Sequence, residues 1–265
     1  MQSNLLNKKR IETNLTSISK ALISQLELFS EIDSTNTHLM ARAQTNAPSG
    51  CVCFAELQTA GKGRRGRQWI SPQGQNIYGS ILWRFHDVSN LNGLSLAIGV
   101  GVIRALKKQG IENVGLKWAN DIYCDGKKLG GILIEVSTHS NNQASVVVGF
   151  GLNLALPANI EAITQPYTDL STIVADFKIE RDLLIADLLN ELLPIVATFE
   201  KQGLGAYLDE WRELDCLIDK TATLFSHSKT VQGVVRGIDD DGLLKLQLDN
   251  GEIQTFSSGE VSFSA

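Results

Sequence analysis

Glu56-Leu57-Gln58-Thr59-Ala60-Gly61-Lys62-Gly63-Arg64-Arg65-Gly66-Arg67-Gln68-Trp69 sets three glycines among four cations, and the apolar run 51–55 precedes it. Glycine tolerates positive φ and lets backbone N–H groups approach a ligand closely. Lys62, Arg64, Arg65 and Arg67 add positive charge, and an arginine can grip a phosphate or carboxylate through two bonds at once. Successive amides flanked by cations form an anion-binding concavity. The stretch predicts a mobile basic loop, fed by a strand, that closes over an anionic ligand. An exposed basic turn or a nucleic-acid patch has the same composition. The whole chain carries a net charge of −5, so basic charge confined to one glycine loop suits a small ligand better than a duplex.

Working outward, residues 26–32 read as a short strand, and Asp33-Ser34-Thr35-Asn36 is a run of helix-capping residues before a helix over 37–45. Capping alone explains these four residues; hydroxyls that bind a ligand at a helix N-terminus are the other reading. Residues 76–85 form a strand, and apolar spacing predicts a helix over 91–108 that ends at Lys107, Lys108 and Gly110. A strand over 114–118 runs into Lys117-Trp118-Ala119-Asn120-Asp121. Asp125-Gly126 is a hairpin turn signal. Lys128 then opens an otherwise apolar run, where an unpaired ammonium is costly to bury and an anionic ligand would offset the cost. Strands follow over 132–136 and 145–154. Residues 181–200 form a long helix that Pro194 is expected to kink or divide, and 203–215 a shorter one. From residue 216 the chain alternates in short strands, with turns expected at Gly233, Gly237, Asp241-Gly242 and Asn250-Gly251.

Composition sets the bounds. A chain of 265 residues with 43% hydrophobic and 20% charged residues can bury a sizeable core, as one large domain or a large and a small one. No stretch approaches the ~20 apolar residues of a bilayer span, and the polar N-terminus gives no signal peptide. Cys51, Cys53, Cys124 and Cys216 show no metal-ligand spacing and are read as buried free thiols in a reducing, cytoplasmic setting. His38, His86, His139 and His227 fall outside the motifs, which contain no Ser/His/Asp or Cys/His arrangement.

The loop 58–69 resembles the biotin-binding loop of biotin protein ligases. Around it stand, in order, Asp33-Ser34-Thr35-Asn36, Lys117-Trp118-Ala119-Asn120-Asp121, Lys128-Leu129-Gly130-Gly131-Ile132-Leu133 and Gly149-Phe150-Gly151-Leu152-Asn153, each similar to a motif of the same family. The family commonly has Pro where Ala119 stands. Weaker similarity continues to Ser262.

The resemblance implies an α+β fold: a class II synthetase-like mixed, largely antiparallel sheet with flanking helices, plus a small C-terminal SH3-like β-barrel. The implied division is an N-terminal extension (1–25), a biotin- and ATP-binding catalytic domain (26–215) and the barrel (216–265). It implies ATP-dependent biotinylation of a lysine on a biotin carboxyl carrier protein, through biotinyl-5′-adenylate, with Mg²⁺ assisting. Lys128 and Arg64 become the expected catalytic residues. Ser34, Thr35, Asn36, Gln58, Lys62, Gly63, Arg64 and Lys128 become the expected biotin contacts. Arg64, Arg65, Arg67, Trp69, Lys117, Asn120 and Asn153 would face ATP and the adenylate, and Asp121 the metal. About thirty residues precede Asp33, too few for a winged helix-turn-helix and a linker, so the expectation is the monofunctional form, with no DNA or membrane partner. A homodimer through the 132–154 strands is a further expectation. The rival readings are a lipoate or octanoate ligase and a non-catalytic adenylate-binding regulator.

Overall fold

The protein is described here by a computed structural model, covering residues 5–73, 76–139, 142–157, 160–175, 178–225 and 229–263. Residues 1–4, part of the polar connection after residue 136, and His227 lie outside the described residues. Two short helices come first, α1 (Lys8–Asn14) and α2 (Ser17–Leu22), capped by the Asn7 and Thr16 side chains. Next are β1 (Gln25–Phe29), α3 (Thr35–Gln44) and β2 (Cys51–Ala55). After the basic loop come β3 (Ile77–Phe85), α4 (Leu94–Lys108), β4 (Gly115–Lys117), β5 (Asp121–Cys124), β6 (Lys127–Thr138) and β7 (Ala144–Leu152). The helices α5 (Leu170–Ile173), α6 (Arg181–Gln202) and α7 (Leu208–Glu213) lead to β8 (Thr221–Phe225), β9 (Thr230–Ile238), β10 (Leu244–Gln247), β11 (Ile253–Phe256) and β12 (Glu260–Phe263).

The first seven strands form one mixed sheet in the order β1-β2-β3-β7-β6-β5-β4; β1 and β2 pair in parallel and the rest antiparallel. Alternation sorts its side chains between two faces. Val52, Phe54, Ile77, Ile81, Val146, Val148 and Phe150 point to a core shared with α4 and α6, and with Ile11 and Leu15 from the N-terminal segment. Cys51, Cys53, Leu82 and Val147 point the other way, beneath Leu39 and Ala43 of α3. The two cysteines thus share a face, and all four cysteines are free thiols. Helix α3 covers only part of that second face. The open remainder, next to its N-terminus, holds the site.

Several sequence expectations change. Pro194 does not divide α6, which runs unbroken from residue 181 to 202. Leu192, Leu193, Ile195 and Val196 are buried on both sides of the proline, and that burial outweighs the ~3 kcal/mol a proline costs a helix interior. Helix α4 starts at Leu94, after a 3₁₀ turn at Val88–Leu91. Gly233 and Gly237 lie inside β9 and make no turn. A Cβ at Gly233 would stand 2.6 Å from the Gln247 carbonyl oxygen, and Gly237 takes φ 74° where the β9–β10 register shifts, as a bulge requires. The other turns are as expected: Asp125 and Gly126 both have positive φ, and Gly242 and Gly251 close the two C-terminal hairpins.

The C-terminal strands form a five-stranded antiparallel sheet, ordered β11-β10-β9-β8-β12. It shares the main core through Leu224, Val235, Leu244 and Val261, and the Trp118 indole donates to the Gly242 carbonyl at 3.0 Å. Asp215 stands at the junction. Its Oδ1 accepts from the Leu217 amide at 2.9 Å, while Oδ2 is buried without a hydrogen-bond partner among the described residues. Burial pushes this carboxyl up to about 6 from its ordinary 3.8. The folded value is the higher one, so the group's contribution to stability is full below about pH 4 and is lost as pH rises through 6. Asp215→Asn keeps the shape and removes the titration. Between pH 4 and pH 7, Asp215→Asn should gain about 2 kcal/mol of stability relative to the wild type. Urea unfolding of both proteins at the two pH values checks this.

Candidate active site

Two rows cross the open part of the second face. Tyr78, Gly151 and Gly131 stand abreast on β3, β7 and β6, and Ser80, Gly149 and Leu133 form the next row. Three of these six residues have no side chain, so the sheet offers a bare floor. A Cβ at Gly149 would overlap the Asn36 carboxamide, and one at Gly151 would stand 2.7 Å from the Trp69 ring. These glycines serve close approach.

One end of the floor is neutral and polar. Ser34 caps α3, accepting from the Thr37 amide at 3.4 Å. The Thr35 amide and hydroxyl both donate to Gln58 Oε1, at 2.9 and 3.2 Å, and Gln58 Nε2 donates to Ser71 Oγ at 3.0 Å. Ser80 Oγ lies 2.7 Å from Thr35 Oγ1 and 2.6 Å from Asn36 Oδ1. The Asn36 amide donates to Glu135 at 2.8 Å. Ser34, Thr35 and Asn36 are all buried. Thr35 is held by Gln58 and Ser80, and Asn36 by Ser80 and Glu135, which fixes their donor and acceptor directions before any ligand arrives.

The other end is cationic. Lys128 Nζ sits 2.7 Å from Asp121 Oδ1 and 5.5 Å from the Trp69 ring centre. The expected unpaired ammonium is therefore paired, because β5 brings Asp121 beside it. Arg64 donates to Asn120 Oδ1 at 2.7 Å, and burial lowers its pKa, partly offset by Asp121. Lys117 is buried and also has a lowered pKa, first through burial and then through Lys128, against the opposing pull of Asp121. Lys62 reaches Glu135 at 3.4 Å.

The basic loop folds back on itself. The Gly63 amide donates to the Arg67 carbonyl at 2.7 Å and the Trp69 amide to the Gly61 carbonyl at 2.9 Å, around a 3₁₀ turn at Arg64–Gly66. Gly66 takes positive φ, as does Arg65, while Gly63 is extended at φ −117°. Gly61 is needed for space, since a Cβ there would meet Ser71 Oγ at 2.8 Å. Arg65 and Arg67 turn towards the C-terminal sheet: Arg65 donates to the Phe225 carbonyl at 3.3 Å, and Arg67 forms a two-pronged pair with Glu260.

A single pocket brings most of the sequence-selected residues together. It is lined by Ser34, Thr35, Asn36, Gln58, Lys62, Gly63, Arg64, Arg65, Arg67, Trp69, Lys117, Asn120, Asp121 and Lys128. Asn153 is the exception and does not line it; its side chain donates to the Thr168 carbonyl at 3.0 Å. Sequence reasoning passed over Ser80, Glu135 and Glu260. Only Glu135 left a signal, as the one charge within Ile132-Leu133-Ile134-Glu135-Val136.

Two family models match: the biotin/lipoate A/B protein ligase family over residues 28–153, and the biotin protein ligase C-terminal domain over 222–264. The chain is 38% identical over 260 residues to the bifunctional ligase/repressor BirA of Salmonella typhimurium, covering 97% of this chain and 78% of that protein. It is 32% identical over 244 residues to the biotin–[acetyl-CoA-carboxylase] ligase of Mycobacterium tuberculosis, covering 89% and 88%. A structure of the biotin protein ligase from Aquifex aeolicus in complex with biotin and ATP superposes with a TM-score of 0.77 at 26% identity, over 91% of this chain and 99% of that one. The fold and site define a ligase of mixed α+β architecture. The chain belongs to the biotin/lipoate A/B protein ligase family.

Proposed function

We propose that the protein activates biotin with ATP and transfers it to a lysine of a biotin carboxyl carrier protein, in the cytosol. What carries this reading is the polarity of the pocket, with fixed neutral donors and acceptors at one end, a glycine floor, and cations at the other. Biotin's ureido ring has N–H donors and a carbonyl acceptor, while its tail ends in a carboxylate. Ser34 Oγ accepts from the Thr37 amide, so its proton is available to the ureido carbonyl. Lipoate and octanoate have no polar ring to answer this end.

A carboxylate does not acylate an amine. In the first step a biotin carboxylate oxygen attacks the α-phosphorus of ATP, the bond to the bridging oxygen breaks, and pyrophosphate leaves. The acceptor amine then attacks the acyl carbon, loses a proton, and AMP departs. No enzyme nucleophile is needed, and among the described residues no cysteine or histidine lines the pocket. The work is positioning and charge stabilisation. Lys128 is the group we assign to the carboxylate and α-phosphate, with Arg64, Lys62 and Lys117 lowering the repulsion between the two anions. Trp69 covers the floor beside the reacting atoms.

Magnesium would enter with ATP. Asp121 Oδ1 is paired with Lys128 and Asn120 Oδ1 accepts from Arg64, and among the described residues no cluster of carboxylate, histidine and cysteine side chains could hold a metal. These residues do not by themselves fit the ion, which would be held mainly by phosphate oxygens. The ion would neutralise part of the triphosphate charge.

Pyrophosphate release from Mg·ATP, with biotin, lipoate or octanoate supplied separately, tests the reading. Release with biotin alone is the expected result, followed by label transfer to a carrier domain. Release only with lipoate or octanoate, or none at all, would overturn it. A homodimer also fits the sheet. Pairing of β5 with β6 stops at Gly131, so residues 133–138 keep an open edge, with Val136 exposed. Sedimentation of the purified chain tests that pairing.

A further inference from the structure

Lys117 is held in an unusual way. It is 8% exposed at the end of β4, and no carboxylate forms an ion pair with it among the described residues. Asp121, its cross-strand partner, is engaged by Lys128 at 2.7 Å. The surroundings of the ammonium are a phenol and two aromatic faces. Lys117 Nζ donates to Tyr123 Oη at 3.1 Å and lies 4.7 Å from the Tyr123 ring centre and 5.5 Å from that of Phe263. Tyr123 comes from β5 and Phe263 from β12, with ring centres 6.0 Å apart.

This cage differs from an ion pair in its electrical result. A carboxylate at hydrogen-bond distance would cancel the charge. A hydroxyl lone pair and ring quadrupoles make burial of the ammonium tolerable and leave its charge uncancelled towards the pocket, which Lys117 lines. Tyr123 does not line the pocket, so it acts through the lysine.

We propose that Tyr123 is a positioning residue: with Phe263 it aims Lys117, uncancelled, at the phosphates of ATP. This rests on the ligase reading above. It adds a reason for the C-terminal sheet to be in place during adenylation, since Phe263 is one wall of the cage. The groups around the ammonium that bear on its titration are Asp121 on β5, Lys128 on β6, Cys216 after α7, Lys220 before β8 and Glu260 on β12.

Tyr123→Phe keeps the ring and removes the acceptor. In the full chain it should raise KM for ATP about tenfold, leave KM for biotin within about twofold, and move the alkaline limb of pyrophosphate release to lower pH, because an ammonium that loses its acceptor gives up its proton more easily. Phe263→Leu should raise KM for ATP about threefold, with Phe263→Tyr restoring it. A probe independent of turnover is pyrophosphate itself, titrated calorimetrically: Tyr123→Phe should bind it about tenfold more weakly, and Lys117→Met at least as weakly. Equal rises in both KM values, an unmoved alkaline limb, or unchanged pyrophosphate affinity in Tyr123→Phe would overturn the proposal. If the wild type released no pyrophosphate with any acid, the ligase reading would fall while the calorimetric comparison still decided the role of Tyr123.

Discussion

Lys128→Ala should slow biotin-dependent pyrophosphate release by about 10²–10³-fold, the usual effect of removing one preorganised charge donor from a reaction centre. Biotin affinity should fall by less than tenfold, because the ring end of the pocket is built from other elements. Ser34, Thr35 and Gln58 bond to one another or to α3, and none bonds to Lys128. The variant leaves Asp121 without its 2.7 Å partner, placing a bare carboxylate where two anions must meet. The double variant Lys128→Ala/Asp121→Asn removes that repulsion and should recover part of the loss, which separates the role of the lysine from the damage done by the aspartate. Single-turnover adenylation and biotin calorimetry on both variants are the measurements. Equal losses in rate and affinity would remove Lys128 from the reaction centre.

Gly149→Ala should weaken biotin binding by about 100-fold or more and destabilise the fold by about 1–3 kcal/mol. The added Cβ falls on the Asn36 carboxamide. Asn36 cannot step aside cheaply, since Ser80 and Glu135 hold its two ends at 2.6 and 2.8 Å and a displaced buried amide loses both partners. Adding Asn36→Ala makes room and should return much of the stability. Binding should stay poor, because the polar network is then broken at Asn36. That asymmetry in a double-mutant cycle separates a crowded floor from a general packing defect. Chemical denaturation and biotin titration of the two single variants and the double variant supply the cycle.

Residues with unusual chemistry for their setting were the legible part of the site. A lysine opening an apolar strand, four cations among glycines and a polar cluster before a helix each conflict with plain burial, and all line one pocket. The fold was legible for a related reason: period-two and helical apolar spacing, with Asp125-Gly126, Asp241-Gly242 and Asn250-Gly251 placing the turns. What escaped depends on distant partners. Nothing near Arg67 announces Glu260, nearly two hundred residues later, so the pair that ties the basic loop to the C-terminal sheet is not legible locally. For Lys128 the sequence suggests only an anionic ligand as partner, because hairpin register, which local sequence does not fix, decides that Asp121 sits beside it. Gly61 and Gly63 suggest positive φ, yet neither takes it, and crowding against the Trp69 carbonyl and Ser71 explains Gly61. Pro194 was judged by its local penalty, which the buried surface on either side exceeds.

The glycine floor has a thermodynamic corollary. Gly131, Gly149 and Gly151 carry no side chain, and Asn36 and Trp69 close over them from other elements, so the pocket is walled by groups that only folding brings together. A compound that seats there binds the folded chain and has no counterpart on the unfolded one. Occupancy therefore feeds directly into resistance to unfolding, by about 2.7 kcal/mol at a hundred times the dissociation constant. The melting temperature of this chain should rise with the concentration of any ligand that seats in the pocket.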